Sequence, residues 1–595
     1  MENPTNKLLS EFKSSSYADW LERLVRDMKD ESALEKITWR SPEGFDILPM
    51  YTPEQGVSPA VKALDNSLLH SDPGLSARHW WNVQKIEIET APLANKKALD
   101  VLNQGADGLL FELKSSLQSV EELLKDIALP YIWLGFKGKF VNASFLDLVN
   151  TYLQKNYPEQ SVAVHFYADP LSEFAESGKL HADWAKQHPL MGKPSANMRA
   201  LAIDASLYTE AGATKTQELA FTLAHCVEYI EAFKAQGLDI KEIFGQLHFQ
   251  MSVGGSYFLE IAKIKTFRVL LDHLAAGYGV QDFQASEVPI HVVSSQLNKT
   301  ALEPYTNLLR LTTEAMSAII GGCNSLQMDG FDESFRSPKE NSKRWSRNLS
   351  LILKEEAYFD KAVDPAAGSY YVEHISESLH QHAWDLFLSI QKEGGWLKNM
   401  EDGNIPNQIE SSAQQLMESV AKRKKVLVGG NQYAYSREAR EKESNSYQGP
   451  IQRLSLLTDF ENIRQDFERL FQKGVNPEAV LLHLPDATMA KARSSFAEGF
   501  LGLAGFRFIK QSAENPQASQ AALLVICGSD TDYQALIQEQ VNSWKKAFPK
   551  AILVLAGNPG EKSAHYEALG ITQCIHLQSH APQTLQDFHQ QLSRS

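Results

Sequence analysis

Short apolar runs alternate with longer amphipathic segments along most of this chain, and the alternation falls into two separate series. The first series contains eight candidate strands, at 82–88, 107–113, 131–135, 161–167, 200–205, 247–253, 288–294 and 322–327. Repeated β–α units favour parallel sheets, because each helix returns the chain to the same edge of the sheet. Eight such units close a (β/α)8 TIM barrel, which we predict for residues 75–400.

The second series follows residue 475 and contains five candidate strands, at 478–484, 505–510, 521–527, 551–556 and 572–577. Amphipathic segments separate most of these strands, as expected for crossover helices. Five parallel strands in so short an interval are typical of a flavodoxin-like doubly wound domain, predicted here for residues 476–595. The interval 401–475 is irregular and is interpreted as a linker that contains one helix.

The N-terminal part, residues 1–74, differs from both series. Residues 7–35 are rich in Glu, Lys and Arg, and apolar residues recur at helical spacing, namely Trp20, Leu21, Leu24 and Val25. We therefore predict an N-terminal helical arm that leads into the barrel. Its apolar stripe has two candidate partners, the surface of another protein and the chain's own barrel.

Composition excludes several classes of function. The 595 residues include 58 Lys+Arg and 73 Asp+Glu, which gives a net charge of −15. An acidic chain without an extended basic tract is not expected to bind nucleic acid or an anionic membrane. The four cysteines form no CxxC pair, which fits a reducing compartment. No apolar stretch reaches the about 18 residues of a membrane span, and no secretory signal is evident, so we expect a cytoplasmic protein.

No motif identifies an active site from its residues alone. The loop at 484–491 contains no glycine, and neither a GxGxxG fingerprint nor a P-loop occurs in the sequence. The sequence also lacks HExxH and EF-hand patterns, so no metal site is predicted. His181 and His188 are interpreted as surface histidines, whereas His225 lies in an apolar helical segment and is expected to be packed.

Several longer passages resemble the methylmalonyl-CoA mutase family. Residues 47–52 (ILPMYT) resemble the family's PLYT segment, and residues 210–229 resemble its EAGAT…LA…VEY block. Three further segments, FLEIAK at 258–263, DPAAGSYYVE at 364–373 and VGGNQY at 428–433, also resemble family motifs. The resemblance implies an isomerase that interconverts methylmalonyl-CoA and succinyl-CoA, with the CoA ester in the barrel and cobalamin in the C-terminal domain.

The C-terminal domain departs from the family pattern at its cofactor loops. In catalytic chains an Asp-x-His-x-x-Gly loop supplies the histidine that ligates cobalt. One register places Ala487, Met489 and Ala492 at these three positions; a register shifted by one residue places Asp486, Thr488 and Lys491 there. Neither register supplies a histidine, so we expect no cofactor-binding and no metal-ligating residue on this chain. The serine-rich loop is replaced by CGSD at 527–530, and only Gly557 and Pro559 resemble the remaining cofactor loop.

The barrel departs from the pattern as well. Catalytic chains of the family carry a Tyr-His pair before the EAG motif, and the histidine hydrogen-bonds the thioester carbonyl. Counting back from Glu210 places Ser206 and Leu207 at those two positions, so no catalytic residue is expected here. The family's arginine- and tyrosine-bearing segment has no counterpart around residues 70–90. The chain thus retains the family's scaffold motifs and lacks its functional loops. In this combination it resembles the small (β), non-catalytic subunits of the family's heterodimeric members.

The resemblance therefore implies a chain that is inactive alone and pairs with a catalytic large subunit in a heterodimer. Adenosylcobalamin is then expected on the large subunit and not on this chain, in an enzyme of propionate metabolism. Two alternatives remain open. One is an independently active acyl-CoA mutase that binds cobalamin without a histidine ligand, and the other is an interaction protein for a mutase chaperone GTPase.

Overall fold

The computed structural model describes residues 15–55, 76–434, 449–571 and 573–594. Residues 7–14 of the predicted arm, and residues 70–75 of the segment compared with the family's arginine-bearing segment, lie outside the described residues. No helix among the described residues is both long enough and apolar enough to cross a membrane.

The N-terminal region begins with the helix Tyr17–Met28, which starts with a capping box between Ser16 and Asp19. None of the residues of this helix is buried, and its four apolar stripe residues are only partly covered. A short helix, Ala33–Ile37, and an antiparallel pair of strands follow, β1 (Trp39–Arg40) and β2 (Asp46–Ile47).

Nine parallel strands form a nearly closed, barrel-like sheet in the order β7-β6-β5-β4-β3-β11-β10-β9-β8. They are β3 (Trp81–Ile88), β4 (Gly108–Leu113), β5 (Trp133–Lys137), β6 (Val164–Tyr167), β7 (Met198–Arg199), β8 (Leu201–Asp204), β9 (Leu247–Val253), β10 (Ile290–Ser294) and β11 (Ser325–Gln327). The predicted parallel, barrel-like sheet is confirmed. The predicted fifth strand, 200–205, corresponds to β8. The two-residue strand β7 before it was not predicted; it ends just before Ala200, whose backbone N–H donates to the side chain of Gln246 (3.1 Å).

Helices cover the outside of this sheet. They are Ala91–Asn103, Glu121–Leu124, Ala143–Asn156, Pro170–Ser177, Trp184–Gln187, Ser206–Glu210, Lys215–Ala235, Ile240–Gln246, Tyr257–Gly277, Thr306–Gly321, Glu340–Glu355, Tyr370–Lys392, Gly395–Glu401 and Asn404–Ala421. Two of them, Lys215–Ala235 and Tyr257–Gly277, are buried on nearly all sides, because Tyr370–Lys392 packs over both. This second helical layer explains why both helices are apolar around most of their circumference.

The described part of the interval 401–475 contains two helices, whereas the sequence predicted one. Asp402 and Gly403 separate the helix Gly395–Glu401 from the first of them, Asn404–Ala421. Gly403 has a φ of +79°, which lets it start the helix Asn404–Ala421 immediately. The second helix, Thr458–Gln472, already packs on the C-terminal sheet.

A separate sheet of five parallel strands forms the C-terminal region, in the order β13-β12-β14-β15-β16. Its strands are β12 (Glu478–His483), β13 (Arg507–Ser512), β14 (Leu523–Cys527), β15 (Ile552–Ala556) and β16 (Gln573–Ile575), and its helices are Thr458–Gln472, Ala487–Leu501, Asp530–Ala547, Ser563–Ala568 and Ala581–Arg594. Two distinct apolar clusters form on this sheet, one with Phe467 and Phe500 and one with Ile537 and Trp544. The strand order reverses between β12 and β14, where such sheets have a crevice at their carboxyl edge.

Candidate functional site

Charged side chains surround the carboxyl end of the barrel, where enzymes of this architecture place their active sites. Lys137 of β5 contacts the carboxylate of Asp204 on β8 (3.1 Å) and the side-chain oxygen of Gln250 on β9 (2.9 Å). Gln250 also donates to Asp204 (2.8 Å). Burial raises the pKa of Asp204, but Lys137 and the Ser206 hydroxyl outweigh burial, so this pKa lies below its ordinary value.

A second charged group lies on the opposite side of the barrel mouth. Lys85 of β3 pairs with Glu333 (3.2 Å), and the nearby Asp329 is the main cause of the raised pKa of Lys85. Burial, followed by the charge of Asp329, raises the pKa of Glu333 to about 7. Gln327 holds Asp329 by a hydrogen bond of 2.8 Å. The charges at the mouth are thus engaged with each other across strands.

Large side chains fill the barrel lumen beneath these charges. The indole of Trp133 is stacked between the imidazoles of His165 (centroid distance 4.8 Å) and His291 (5.2 Å). Tyr167 and His248 meet edge to face beside them (4.8 Å), and all five side chains are buried. A side chain at Gly135 would lie 2.7 Å from the Trp133 ring, so only glycine fits there. In the part of the chain that the structure describes, large packed side chains therefore occupy the lumen.

The lumen histidines are neutral at physiological pH. Burial lowers the pKa of His165 to about 4 and that of His291 to about 3. Burial also places the pKa of His248 well below its ordinary value. Because a charged imidazole in this dry space would be costly, these rings act as aromatic packing groups.

The two family positions in the barrel lie on the short helix Ser206–Glu210, directly after β8. The Ser206 hydroxyl donates to Asp204 and accepts a hydrogen bond from Gln250 (3.1 Å). Leu207 is 2% exposed and belongs to the main hydrophobic core. A buried hydrocarbon cannot donate a hydrogen bond to a thioester carbonyl, so this position has no general-acid capacity.

The next residue, Tyr208, belongs to a buried hydrogen-bond network that no pattern in the sequence had indicated. Its hydroxyl accepts a hydrogen bond from Trp396 (2.7 Å) and lies 3.2 Å from the imidazole of His225. The other ring nitrogen of His225 lies 3.2 Å from the carboxylate of Asp169, which also accepts from Tyr229 (2.6 Å). The only sign of this network in the sequence is that His225 and Tyr229 are four residues apart, the spacing of one helix face. The network is enclosed in the protein, which favours a structural role.

The histidine predictions had mixed outcomes. The predicted packing of His225 is confirmed, and His181 is exposed as expected. The surface position predicted for His188 is wrong, because this residue is 2% exposed and packs against Phe233. Burial lowers the pKa of His188 to about 4. The polar loop folds back on the barrel, which a local reading of the sequence did not predict.

Residues within and beside the family-like motifs build a buried ionic cluster. Lys263 contacts Glu218 (2.9 Å) and Glu260 (2.8 Å), and Lys215 also contacts Glu260 (2.8 Å). Glu43 accepts a hydrogen bond from the backbone N–H of Thr216 (2.9 Å), which ties the N-terminal region to the barrel. Removing one member would leave an unpaired buried charge. These motif residues therefore hold the scaffold together.

In the C-terminal region, the aligned cofactor positions lie on the helix Ala487–Leu501. Asp486 is its N-cap and accepts hydrogen bonds from the backbone of Thr488 and Met489 (both 3.1 Å). Ala487 and Ala492 are exposed, and Met489 is half-buried. A cavity of about 410 Å³ opens beside them at the carboxyl ends of β12 and β13, lined by His483, Leu484, Pro485, Ala487, Lys510 and Ser512, among others.

The aligned loop positions do not fit a cobalamin. Cobalt favours an imidazole nitrogen, but the aligned position holds the Met489 thioether in one register and the Thr488 hydroxyl in the other. An imidazole at this edge, that of His483, precedes the aligned loop. A side chain at Gly528 would lie 2.6 Å from the Cβ of Leu484, so only glycine fits there. Among the described residues, no group of three or more His, Cys, Asp or Glu side chains could hold a metal ion.

Comparisons with known proteins place these observations in one family. The family model for methylmalonyl-CoA mutase matches residues 113–468. The methylmalonyl-CoA mutase small subunit of Porphyromonas gingivalis is 30% identical over 623 residues, covering 99% of both chains. The small subunit of Streptomyces virginiae is 26% identical over 589 residues, covering 93% of this chain and 94% of its own. The large subunit of Porphyromonas gingivalis is 33% identical over 229 residues, covering 38% of this chain and 32% of its own.

Proposed function

The chain belongs to the methylmalonyl-CoA mutase family, and we propose that it is the small, non-catalytic subunit of an adenosylcobalamin-dependent methylmalonyl-CoA mutase. Leu207 carries the proposal, because a buried hydrocarbon occupies the position that resembles the family's catalytic histidine. The complex interconverts methylmalonyl-CoA and succinyl-CoA in the propionate metabolism of the cytoplasm. The near full-length similarity to two proteins named small subunit supports this assignment.

The filled lumen supports the non-catalytic role. An acyl-CoA ester is a long linear molecule, and reaching the barrel mouth along its axis would require displacing the stacked Trp133, His165 and His291. These rings come from three different strands, so all three side chains would have to move together. The barrel thus serves as a structural scaffold and does not bind the substrate.

The C-terminal region is assigned in this proposal to the flavodoxin-like class. Relative to the chain order of its own strands, its sheet has the arrangement 2-1-3-4-5, which is the arrangement of that class. We assign adenosylcobalamin to the large subunit, because neither aligned position, Met489 or Thr488, carries an imidazole for cobalt. When bound to the large subunit, the cofactor supplies the radical chemistry.

The contribution of this chain is then to assembly. An obligate heterodimer buries more than about 2,000 Å² and is more apolar than the remaining surface. Such a partner stabilises the catalytic subunit by mass action and helps to exclude water from its site. The apolar stripe of the helix Tyr17–Met28 is a candidate for this interface, because none of its residues is buried in the chain's own fold.

Co-expression with the large subunit tests the function directly. We expect mutase activity from a purified heterodimer that contains one cobalamin, and no turnover from the chain alone. A chain that lacks residues 1–35 should keep its barrel fold but pair with the large subunit at least about tenfold more weakly in sedimentation. Turnover by the single chain, or two cobalamins in each heterodimer, would refute the non-catalytic assignment.

A further inference from the structure

We propose that three of this chain's own side chains, Leu484, Arg493 and Tyr533, close the crevice in which a doubly wound domain ordinarily binds its ligand. We call these three residues the crevice plug. The inference rests on the proposed function and deepens it: closure of the crevice, in addition to the missing histidine, prevents this domain from binding cobalamin.

Leu484 closes the crevice between β12 and β14. It lies one residue beyond the end of β12, and its Cβ would be 2.6 Å from a Cβ built on Gly528, at the end of β14. Leu484 is 3% exposed. β12 and β14 are paired strands, so Leu484 lies beside Gly528 directly beyond their paired ends, and its buried side chain occupies the base of the crevice where the strand order reverses.

Tyr533 pins the ends of β14 and β15 together. Its hydroxyl accepts a hydrogen bond from the Gly528 backbone (3.1 Å) and lies within donating distance of the carbonyls of Ile526 (3.0 Å) and Ala556 (2.8 Å). These three backbone groups are at the carboxyl edge, where a ligand would otherwise contact them. The ring is buried, so it fills the space as well as satisfying the polar groups.

Arg493 covers Tyr533 from the side of the helix Ala487–Leu501. Its guanidinium lies 4.7 Å from the centre of the Tyr533 ring and pairs with Asp530 (2.6 Å). A side chain at Gly557 would come within 2.9 Å of the Arg493 guanidinium. Arg493 therefore spans the crevice from the first helix to the loops after β14 and β15.

The helix N-termini at this edge are also satisfied internally. Asp486 caps the helix Ala487–Leu501, and Ser529 and Asp532 form a capping box on Asp530–Ala547. The backbone N–H of Asp486 in turn donates to Asp532 (3.3 Å). A phosphate or other anion would use these N–H groups in an open crevice. Here the side chains of Asp486, Ser529 and Asp532 hold several of these groups, so an anion would have to displace them to bind at the two helix N-termini.

Adenosylcobalamin titrations of the full chain separate the plug from the missing ligand. The loop variant A487D/M489H/A492G restores the family pattern and should still not bind in equilibrium dialysis, because the crevice remains closed. Adding L484A, R493A and Y533S to the loop variant removes all three plug side chains and should strengthen binding at least about tenfold. Binding by the loop variant as tight as by this six-fold variant would overturn the plug, and so would a folded six-fold variant without improved binding. Binding by the unmodified chain would instead overturn the proposed function.

Hydrogen exchange tests the plug even if the six-fold variant fails to fold. Tyr533→Phe removes the acceptor of the Gly528 N–H, so exchange at Gly528 should accelerate at least about tenfold. Tyr566→Phe is the matched control, since Tyr566 belongs to the same apolar cluster and has no hydrogen bond to this edge. Unchanged exchange at Gly528 in Tyr533→Phe would show that the hydroxyl does not pin the edge, and would overturn the proposal.

Discussion

In both the barrel and the C-terminal sheet, the chain's own side chains occupy the place where a ligand would bind. The interactions that hold these side chains differ between the two regions. The barrel uses a dry stack of neutral rings, with Trp133 between two histidines. The C-terminal sheet uses a charged group near the surface, because Arg493 pairs with an Asp530 side chain that is 74% exposed. A dry stack depends on packing and on protonation state, whereas a half-exposed ion pair is screened by solvent and salt. The two closures should therefore respond to different perturbations.

The largest effect is expected from truncating the lumen stack. Trp133→Ala should lower the free energy of unfolding by about 3–5 kcal/mol, because it removes a buried aromatic ring and leaves a cavity. Trp39→Ala, at a tryptophan that is 46% exposed, should change it by less than about 1 kcal/mol. Denaturant unfolding followed by circular dichroism measures both. Equal losses in the two variants would contradict the packed-core interpretation of the lumen.

Acid should weaken the barrel selectively. Burial lowers the folded-state pKa of His165 to about 4 and of His291 to about 3, from an ordinary value of 6.5. Between pH 6.5 and those values the unfolded chain binds more protons than the folded chain, so the free energy of unfolding falls as the pH falls. Each histidine should contribute up to about 1.4 kcal/mol per pH unit in this window.

A pair of variants isolates this pH effect. His165→Asn removes one titrating group and should flatten the pH dependence of thermal unfolding by that group's share. His181→Asn alters an exposed histidine and should follow the unmodified chain. Parallel curves for all three proteins would mean that the lumen histidines titrate alike in the folded and unfolded states.

Removing the Arg493 side chain should have a smaller effect on stability. Arg493→Ala should destabilise the C-terminal region by about 1 kcal/mol, since it removes a partly exposed ion pair and a cation–π contact. The difference from the unmodified chain should shrink in high salt, in contrast to that of Trp133→Ala. Lys97→Ala removes the Lys97–Glu89 surface pair (3.1 Å) and serves as the control with almost no effect. If the loss of stability in Arg493→Ala does not depend on salt, the Arg493 side chain contributes through packing and not through charge.

The smallest effect is expected on the mutase activity of this chain alone. Leu207→His restores the side chain at one catalytic position, but Trp133 still fills the lumen and cobalt still lacks a ligand on this chain. The purified variant should therefore show no conversion of methylmalonyl-CoA above background in a chromatographic assay. Measurable turnover would mean that a single substitution reopens the site, and would contradict the closed state of both regions.

Local patterns in the sequence sufficed for much of the architecture. The eight barrel strands and the five C-terminal strands that were predicted are all present, because apolar runs of strand length separated by amphipathic segments identify β–α units without long-range information. The sequence did not predict the two-residue strand β7, next to which Ala200 is held by the Gln246 side chain of a later helix. It also missed the position of His188 and the Tyr208 network, which distant segments create.

The sequence by itself predicts which positions lack the family's chemical groups: the resemblance expects histidines at Leu207 and at Met489 or, in the shifted register, Thr488. Only the tertiary structure decided what occupies the space that a ligand would need. Trp133, His165 and His291 lie on separate strands, and a strand pattern does not say which of its faces turns inward. Closure of the barrel brings the three rings into one stack, as the strand reversal brings Leu484 against Gly528. Missing groups are local properties of a sequence, whereas filled space depends on contacts between segments that are distant in the chain.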